Sequence, residues 1–153
     1  LTILGALDGI EAGLRQLRRQ RPLEVEELSV SGRALRVPTL PEMLRIKAYL
    51  VVQRNQVRDY LDVVALADRL GARAAVDVLI AIDDYYADRS ADDCAVLTAV
   101  TQRLSEPSPR DERVTGQLSA YKGLDPRWHD WRGVVADCQA LADAVIDRLE
   151  EEA

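Results

Sequence analysis

Residues 45–71 read RIKAYLVVQRNQVRDYLDVVALADRLG, and their apolar residues recur at helical spacing. This spacing predicts one helix over residues 41–54 and a second from about Val57 to Leu70, which Gly71 ends. The intervening Arg-Asn-Gln interrupts the pattern. We therefore expect two helices joined by a turn between Gln53 and Val57, the first pair of an antiparallel bundle.

Lys47 is one of only two lysines among the 20 basic residues of the chain. It lies on the side of its helix opposite the polar stripe. That stripe comprises Glu42, Arg45, Tyr49 and Gln53. An isolated buried ammonium is costly, so the side chain either extends to water or meets a carboxylate. Asp59 and Asp62 share one face of the second helix. Two interpretations stay open: a lysine that reaches water, or a site at the helix seam with Lys47 on one wall and Asp59 on the other.

On the N-terminal side, residues 23–38 alternate between polar and apolar side chains around Ser31-Gly32. This pattern predicts a hairpin of two strands, about 23–30 and 34–38. Thr39, followed three residues later by Glu42, is a capping-box signal for the helix that comes next. The first residues read as the end of a strand, and residues 8–20 have apolar spacing that predicts a short amphipathic helix.

Beyond Gly71 the pattern stays helical, with expected helices over about 72–87, 91–104 and 111–121 and a last helix ending near Leu149. Asp125 is expected to cap a helix in which Pro126 takes the first position. The predicted fold class is mainly α: a small β-hairpin followed by an antiparallel helical bundle. We expect two parts: residues 1–39, which connect to another unit, and a helical domain over residues 40–153.

A length of 153 residues suits one hydrophobic core, and the net charge is −6. An acidic surface argues against non-specific binding to nucleic acid or membrane. Arg15, Arg18, Arg19 and Arg21 form either a local basic patch or a solvated helix face. No run approaches the roughly 20 apolar residues of a membrane span, and no secretory signal is visible. Cys94 and Cys138 have no metal-binding spacing, so we expect inert buried thiols in a reducing cytoplasm.

The stretch Trp128-His129-Asp130-Trp131 has two interpretations. Its tryptophans either fill the core or form an exposed aromatic patch that binds a partner. His129 is the only histidine, and without a partner its expected role is packing or capping rather than catalysis.

The segment from Val37 to Gly71 resembles the C-terminal signature of the AbiEii-like nucleotidyltransferases, the toxins of type IV toxin–antitoxin systems. The resemblance covers about residues 24–71. The residues that carry it are Pro41-Glu42, Lys47, Arg54, Arg58-Asp59 and Asp62. It implies that the chain is the C-terminal part of an α+β nucleotidyltransferase, which transfers a nucleotide from an NTP, with Mg²⁺, to an RNA such as tRNA or to a protein.

The same resemblance implies a role for each matched residue. Lys47 would neutralise the triphosphate, and Asp59 would orient or deprotonate the acceptor as a catalytic acid or base. Arg54, Arg58 and Asp62 would support them or contact phosphates. A cognate antitoxin would be the partner.

This sequence departs from that family at the catalytic half, because it contains neither the Gly-Ser turn nor the Asp-x-Asp pair that holds the metal. We therefore expect the chain alone to be inactive and to bind no cofactor by itself. Either the missing half lies upstream of Leu1, as the strand-like start suggests, or it has been lost. The alternative hypothesis is a non-catalytic helical module that binds a partner in a toxin–antitoxin or related system.

Overall fold

A computed structural model describes residues 2–15, 19–86 and 94–152. Within these residues two separate β-hairpins precede a set of packed helices. The prediction of a mainly α fold, with a small hairpin followed by helices, is confirmed.

The first hairpin corrects one prediction. Strands β1 (Thr2–Leu7) and β2 (Ile10–Arg15) pair antiparallel where the sequence analysis expected a helix over residues 8–20. The decisive signal is Asp8-Gly9, with φ of 51° and 78°. Two consecutive positive φ values define the two-residue turn that matches the natural twist of a hairpin, and Asp-Gly favours it. The spacing of Ile10, which also fits a helix, was therefore misleading.

The second hairpin confirms its prediction. Strands β3 (Val25–Val30) and β4 (Arg33–Pro38) pair antiparallel, with Leu28 opposite Leu35. Ser31 and Gly32 form the turn with φ of 51° and 73°. The same turn chemistry therefore explains both hairpins.

The helices lie within a few residues of their predicted positions, with two kinds of exception. The helix predicted over residues 72–87 is divided in two, and two short segments are 3₁₀ rather than α helices. The helices are α1 (Leu40–Gln53), α2 (Val57–Leu70), α3 (Ala72–Ile80), α4 (Asp83–Tyr86), α5 (Val96–Ser105) and α6 (Trp131–Glu151). Segments Glu112–Ala120 and Pro126–Trp128 are 3₁₀ helices. The side chain of Asp125 caps the second of these, as expected. The expected end at residue 87 and start at residue 91 lie outside the described residues.

Helix α1 lies at the centre of the helical part and packs against α2, α3 and α5. One side of α1, formed by Leu44, Ala48 and Val51, is completely removed from water, as are residues of α2 and α6. The fully buried residues at this centre include Leu44, Ala48, Val51, Val57, Tyr60, Val63, Val134 and Cys138. A fully buried aliphatic or aromatic side chain contributes about 1.5–3 kcal/mol by leaving water, so this seam holds the helices together.

The expected break between α1 and α2 is present and is built around Asn55. This residue has φ of 53°, a conformation that asparagine tolerates better than most residues. Its side chain accepts a hydrogen bond from Tyr60 Oη at 2.6 Å and donates one to the carbonyl of Ser108 at 2.8 Å. The chain therefore reverses at a buried residue whose polar groups are satisfied.

No helix among residues 2–15, 19–86 and 94–152 has both the length and the apolar character needed to cross a membrane. The proposed division at residue 39 stays a prediction.

Candidate functional site

Lys47 meets a carboxylate at the seam between α1 and α2, but the partner is Asp62. Lys47 Nζ donates to Asp62 Oδ2 at 2.6 Å. The lysine side chain is 28% exposed and the aspartate 38%, so water still reaches the pair. A pair with this exposure is screened and contributes little to stability. The structure therefore combines the two interpretations: the lysine extends towards the surface and is neutralised there.

Asp59 lies deeper and has different partners. Its carboxylate is fully buried and accepts hydrogen bonds from the guanidinium of Arg54 and from the backbone N–H of Gln56. The second bond satisfies an otherwise unpaired donor at the start of α2. Asp59 therefore fixes the α1–α2 turn rather than facing Lys47 across a pocket.

The predicted site residues are thus divided between two pairs. Lys47 with Asp62 forms one, Arg54 with Asp59 forms the other, and Arg58 has an exposed side chain. Three clefts among the described residues have other linings than these five side chains. Nothing in these contacts tests a catalytic role for Lys47 or Asp59, and that role stays a prediction.

The sequence analysis missed a second charged group, which we call the strap cluster: Arg19, Glu24, Glu42 and Arg45. Glu42 is completely buried and accepts hydrogen bonds from both arginines, from Arg45 Nη1 at 2.7 Å and from Arg19 Nη2 at 3.0 Å. The same Arg45 atom lies 3.0 Å from Glu24 Oε2. Two positive and two negative charges thus neutralise one another between α1 and the segment that precedes β3.

Tyrosines enclose the strap cluster. The guanidinium of Arg45 lies 4.1 Å from the ring centre of Tyr85, within cation–π range. Tyr86 stacks on Tyr49, with ring centres 4.2 Å apart and planes 9° apart. Tyr85 Oη donates to Glu24, which lowers the pKa of that carboxyl and raises the pKa of the tyrosine. Burial raises the pKa of Tyr86.

The strap cluster corrects the interpretation of the polar stripe on α1. Glu42 and Arg45 were expected on the polar side of the helix, yet both are buried beneath residues 19–24. Of the arginines considered as a basic patch, Arg19 is buried against Glu42 and Arg21 pairs with Asp84 at 2.9 Å. Arg18 lies outside the described residues. No local sequence signal indicates such a cluster, because Arg19 and Glu42 are 23 residues apart in the chain.

A groove of about 880 Å³ runs along α5 and the end of α6. Its lining includes Cys94, Leu97, Thr101, Ile146 and Leu149. The groove mixes apolar and polar side chains, and it is separate from both ion pairs and from the strap cluster.

The cysteines differ from one another. Cys138 is fully buried, and desolvation raises the pKa of its thiol to about 12. Cys94 is only half-buried, so the expectation of two buried thiols holds for Cys138 alone. Both are free thiols.

The tryptophans support the core interpretation. Trp128 is buried and donates from Nε1 to Asp137 at 2.7 Å. Trp131 packs edge-on against Tyr60, with ring centres 5.8 Å apart. His129 is exposed and lies 3.3 Å from the carbonyl of Leu124. The aromatic residues therefore join α6 to α2.

Comparison with known proteins gives a consistent result. The chain is 31% identical over 138 residues to the mycolic acid-containing lipids exporter MmpL11 of Mycolicibacterium smegmatis, an alignment that covers 88% of this chain and 14% of that protein. This chain is similar to part of a transport protein. It is also 30% identical over 131 residues to the heme uptake protein MmpL11 of Mycobacterium tuberculosis, covering 85% of this chain and 13% of that protein. The probable transport protein MmpL11 of Mycobacterium leprae is 28% identical over 153 residues, 93% of this chain and 14% of that protein.

The chain therefore spans about a seventh of the length of the MmpL11 proteins that it matches. No protein-family profile matches the chain. No solved structure matches it either.

The similarity to MmpL11 overturns the resemblance to the AbiEii-like nucleotidyltransferases. Transfer of a nucleotide is wrong as the function, and the alternative of a partner-binding module in a toxin–antitoxin or related system is not supported either. The structure shows why the pattern was misleading. Arg54 and Asp59 pair at the start of α2, and Asp62 pairs with Lys47 of the neighbouring helix. Contacts of this kind occur in helical hairpins of any function. NTP, Mg²⁺, tRNA and an antitoxin were implied by that resemblance alone and lose their basis with it.

Proposed function

We propose that this chain is a folded, water-exposed domain of an MmpL11-like transport protein, with a structural and docking role beside the transport path. One observation carries the proposal: the similarity to MmpL11 extends as a single stretch through 88% of the chain. A match that covers this much of the chain supports one inherited unit rather than a short shared motif.

The charged side chains at the surface support a domain that is exposed to water. Exposed ion pairs link Arg127 with Asp68 at 2.6 Å and Arg148 with Glu152 at 2.7 Å. The apolar side of α6 is directed instead to the core, through residues such as Val134 and Val145. This is the pattern of an amphipathic helix with one face in water. Four of the five charged side chains of the predicted site pair with one another, Lys47 with Asp62 and Arg54 with Asp59, which supports a structural role.

A chimera tests the proposal. We expect the M. smegmatis exporter, with its matched 138 residues replaced by this chain, to keep exporting mycolic acid-containing lipids. The expected level is at least about half of the native level, since a conserved domain fold preserves its contacts with the rest of the protein. Export is measured from surface lipids, and the amount of chimera from immunoblots of membranes.

The matched control is the equivalent M. leprae segment placed in the same exporter, since it comes from a full-length relative. If the M. leprae chimera exports and this chimera reaches the membrane at the same level without exporting, the proposal is overturned. A deletion of the segment shows whether export depends on it at all.

We further propose that the domain lies on the cytoplasmic side, where free thiols persist. In a chimera whose other cysteines are replaced, a membrane-impermeant maleimide should label Cys94 only after the cells are permeabilised. Cys138 serves as the internal control. Cys138 is completely buried and burial raises the pKa of its thiol, so it should react only after unfolding. Labelling of Cys94 in intact cells would place the domain on the opposite side.

A further inference from the structure

The β3–β4 hairpin has two unlike faces, which follow from its register. Cross-strand partners share a face, and faces alternate along each strand. One face carries Glu27 opposite Arg36 and Ser29 opposite Ala34. The other face, which we call the apolar hairpin face, consists of Glu26, Leu28, Val30, Arg33, Leu35 and Val37.

The apolar hairpin face is open to water. Leu28 is 46% exposed, and Val30 and Leu35 are each 52% exposed. Leu28 and Leu35 lie directly opposite each other, so they form one continuous apolar surface at the middle of the hairpin. A two-stranded hairpin is marginally stable in water by itself, and covering this surface would stabilise it.

The base of the hairpin is held firmly while its tip projects. Glu24, just before β3, is tied to Arg45 and Tyr85. Thr39, just after β4, donates its backbone N–H to the carbonyl of Glu24 at 3.1 Å and accepts from the N–H of Glu42. The strap cluster therefore presents the apolar hairpin face in a fixed orientation, which lowers the entropy cost of docking.

The charges on this face are self-complementary. Glu26 lies near the base of the hairpin. Arg33 lies near the tip, opposite Val30, so the two positions are four residues apart along the strand direction. At about 3.4 Å per residue that separation is about 14 Å, too far for an ion pair within one chain. When a second hairpin packs face to face with its strands reversed, the tip of each copy meets the base of the other. Glu26 of one copy then lies at the same end as Arg33 of the second copy, and leucine meets leucine at the centre.

We propose that two copies of this chain associate through the apolar hairpin face, about a two-fold axis that passes through the Leu28–Leu35 pair. Such an interface is isologous, because the same surface serves both copies. One face of a short hairpin is small beside the roughly 800 Å² per partner of a standard interface. The association is therefore weak, with a dissociation constant on the order of 100 µM. The proposal concerns this hairpin alone and does not rest on the proposed transport function.

Two adjacent residues of β4 give a matched test. Leu35→Arg places a charge at the centre of the apolar hairpin face, and Ala34→Arg places the same charge on the opposite face of the same strand. Sedimentation of the full chain between about 10 µM and 1 mM should show dimer formation that Leu35→Arg weakens at least tenfold and Ala34→Arg changes by less than twofold. Circular dichroism and hydrogen exchange at residues 25–38 verify that each variant keeps the hairpin.

Charge reversal gives the second, independent test. Glu26→Arg alone and Arg33→Glu alone should each weaken the dimer several-fold, and the double variant should recover most of the lost affinity. Recovery requires contact between chains, since the two positions are too far apart within one. A chain that stays monomeric up to 1 mM, equal effects of Leu35→Arg and Ala34→Arg, or a double variant that fails to recover would each overturn the proposal. A chain that stays monomeric would mean that the apolar hairpin face contacts a partner other than a second copy.

Discussion

Replacing Glu42 with alanine should lower the free energy of unfolding by about 3–5 kcal/mol, because it removes the central negative charge of a buried ionic group. Arg19 and Arg45 both donate to this carboxylate, and both are almost removed from water. Without Glu42, Arg45 keeps only the partly exposed Glu24, and Arg19 keeps backbone carbonyls as its hydrogen-bond acceptors. Urea denaturation followed by circular dichroism measures the change.

Glu24→Ala is the matched control for Glu42→Ala. It removes the other acid of the strap cluster by the same substitution, but the Glu24 side chain is 42% exposed. A partly solvated pair contributes at most about 1 kcal/mol, so its loss should be small. Glu42→Gln keeps the side-chain shape and isolates the effect of charge. Should Glu42→Ala cost no more than Glu24→Ala, the arginines must be solvated and the strap cluster does not hold residues 19–24.

Hydrogen exchange extends this prediction to the hairpin. If the strap cluster anchors the base of β3–β4, Glu42→Ala should increase exchange at residues 19–39 more than at the centre of α6. Equal increases throughout would indicate a general loss of stability instead of a released hairpin.

Replacing Asp59 with alanine should lower the free energy of unfolding by about 2–3 kcal/mol, since the change removes a helix cap and the partner of Arg54 together. Arg54 is 29% exposed and recovers part of its hydration in the variant, which limits the loss. Thermal and urea denaturation both measure the effect.

Asp62→Ala is the matched control on the same helix. Its carboxylate pairs with Lys47 near the surface, so the expected loss is at most about 1 kcal/mol. Arg54→Ala should cost at least as much as Asp59→Ala, because it leaves the completely buried Asp59 carboxylate without its cation. An Asp62→Ala variant as unstable as Asp59→Ala would contradict the assignment of Asp59 as the structural acid of the α1–α2 turn.

The sequence predicted those parts of the fold whose signals are local. The Thr39 cap, the Asn55 turn and Gly71 lie within a few residues of the helix ends that they specify, and α1 and α2 begin and end almost where the pattern placed them. The β3–β4 hairpin was predicted for the same reason, through Ser31-Gly32. The β1–β2 hairpin was missed although Asp8-Gly9 carries an equally local signal, because the apolar spacing was given more weight than the turn.

The predicted site was only partly correct in geometry. A turn that brings Lys47 next to an acid of α2 was expected and is present, but the rotation of α2 about its axis selects Asp62 and directs Asp59 towards Arg54. Two acids three residues apart lie on one face in any helix. Which of them a neighbouring helix meets depends on packing, which no pattern within α2 determines.

The sequence by itself determined the mainly helical class, the α1–α2 pair and one hairpin, because capping, turn chemistry and apolar periodicity act over a few residues. Only the tertiary structure decided that Glu42 and Arg45 are buried, that Arg19 neutralises Glu42, and that the apolar hairpin face remains uncovered within one chain. These features depend on how segments that are distant in sequence pack in space, as Arg19 and Glu42 do. The free energy of a charge is set by the neighbours that folding brings to it rather than by its neighbours in sequence.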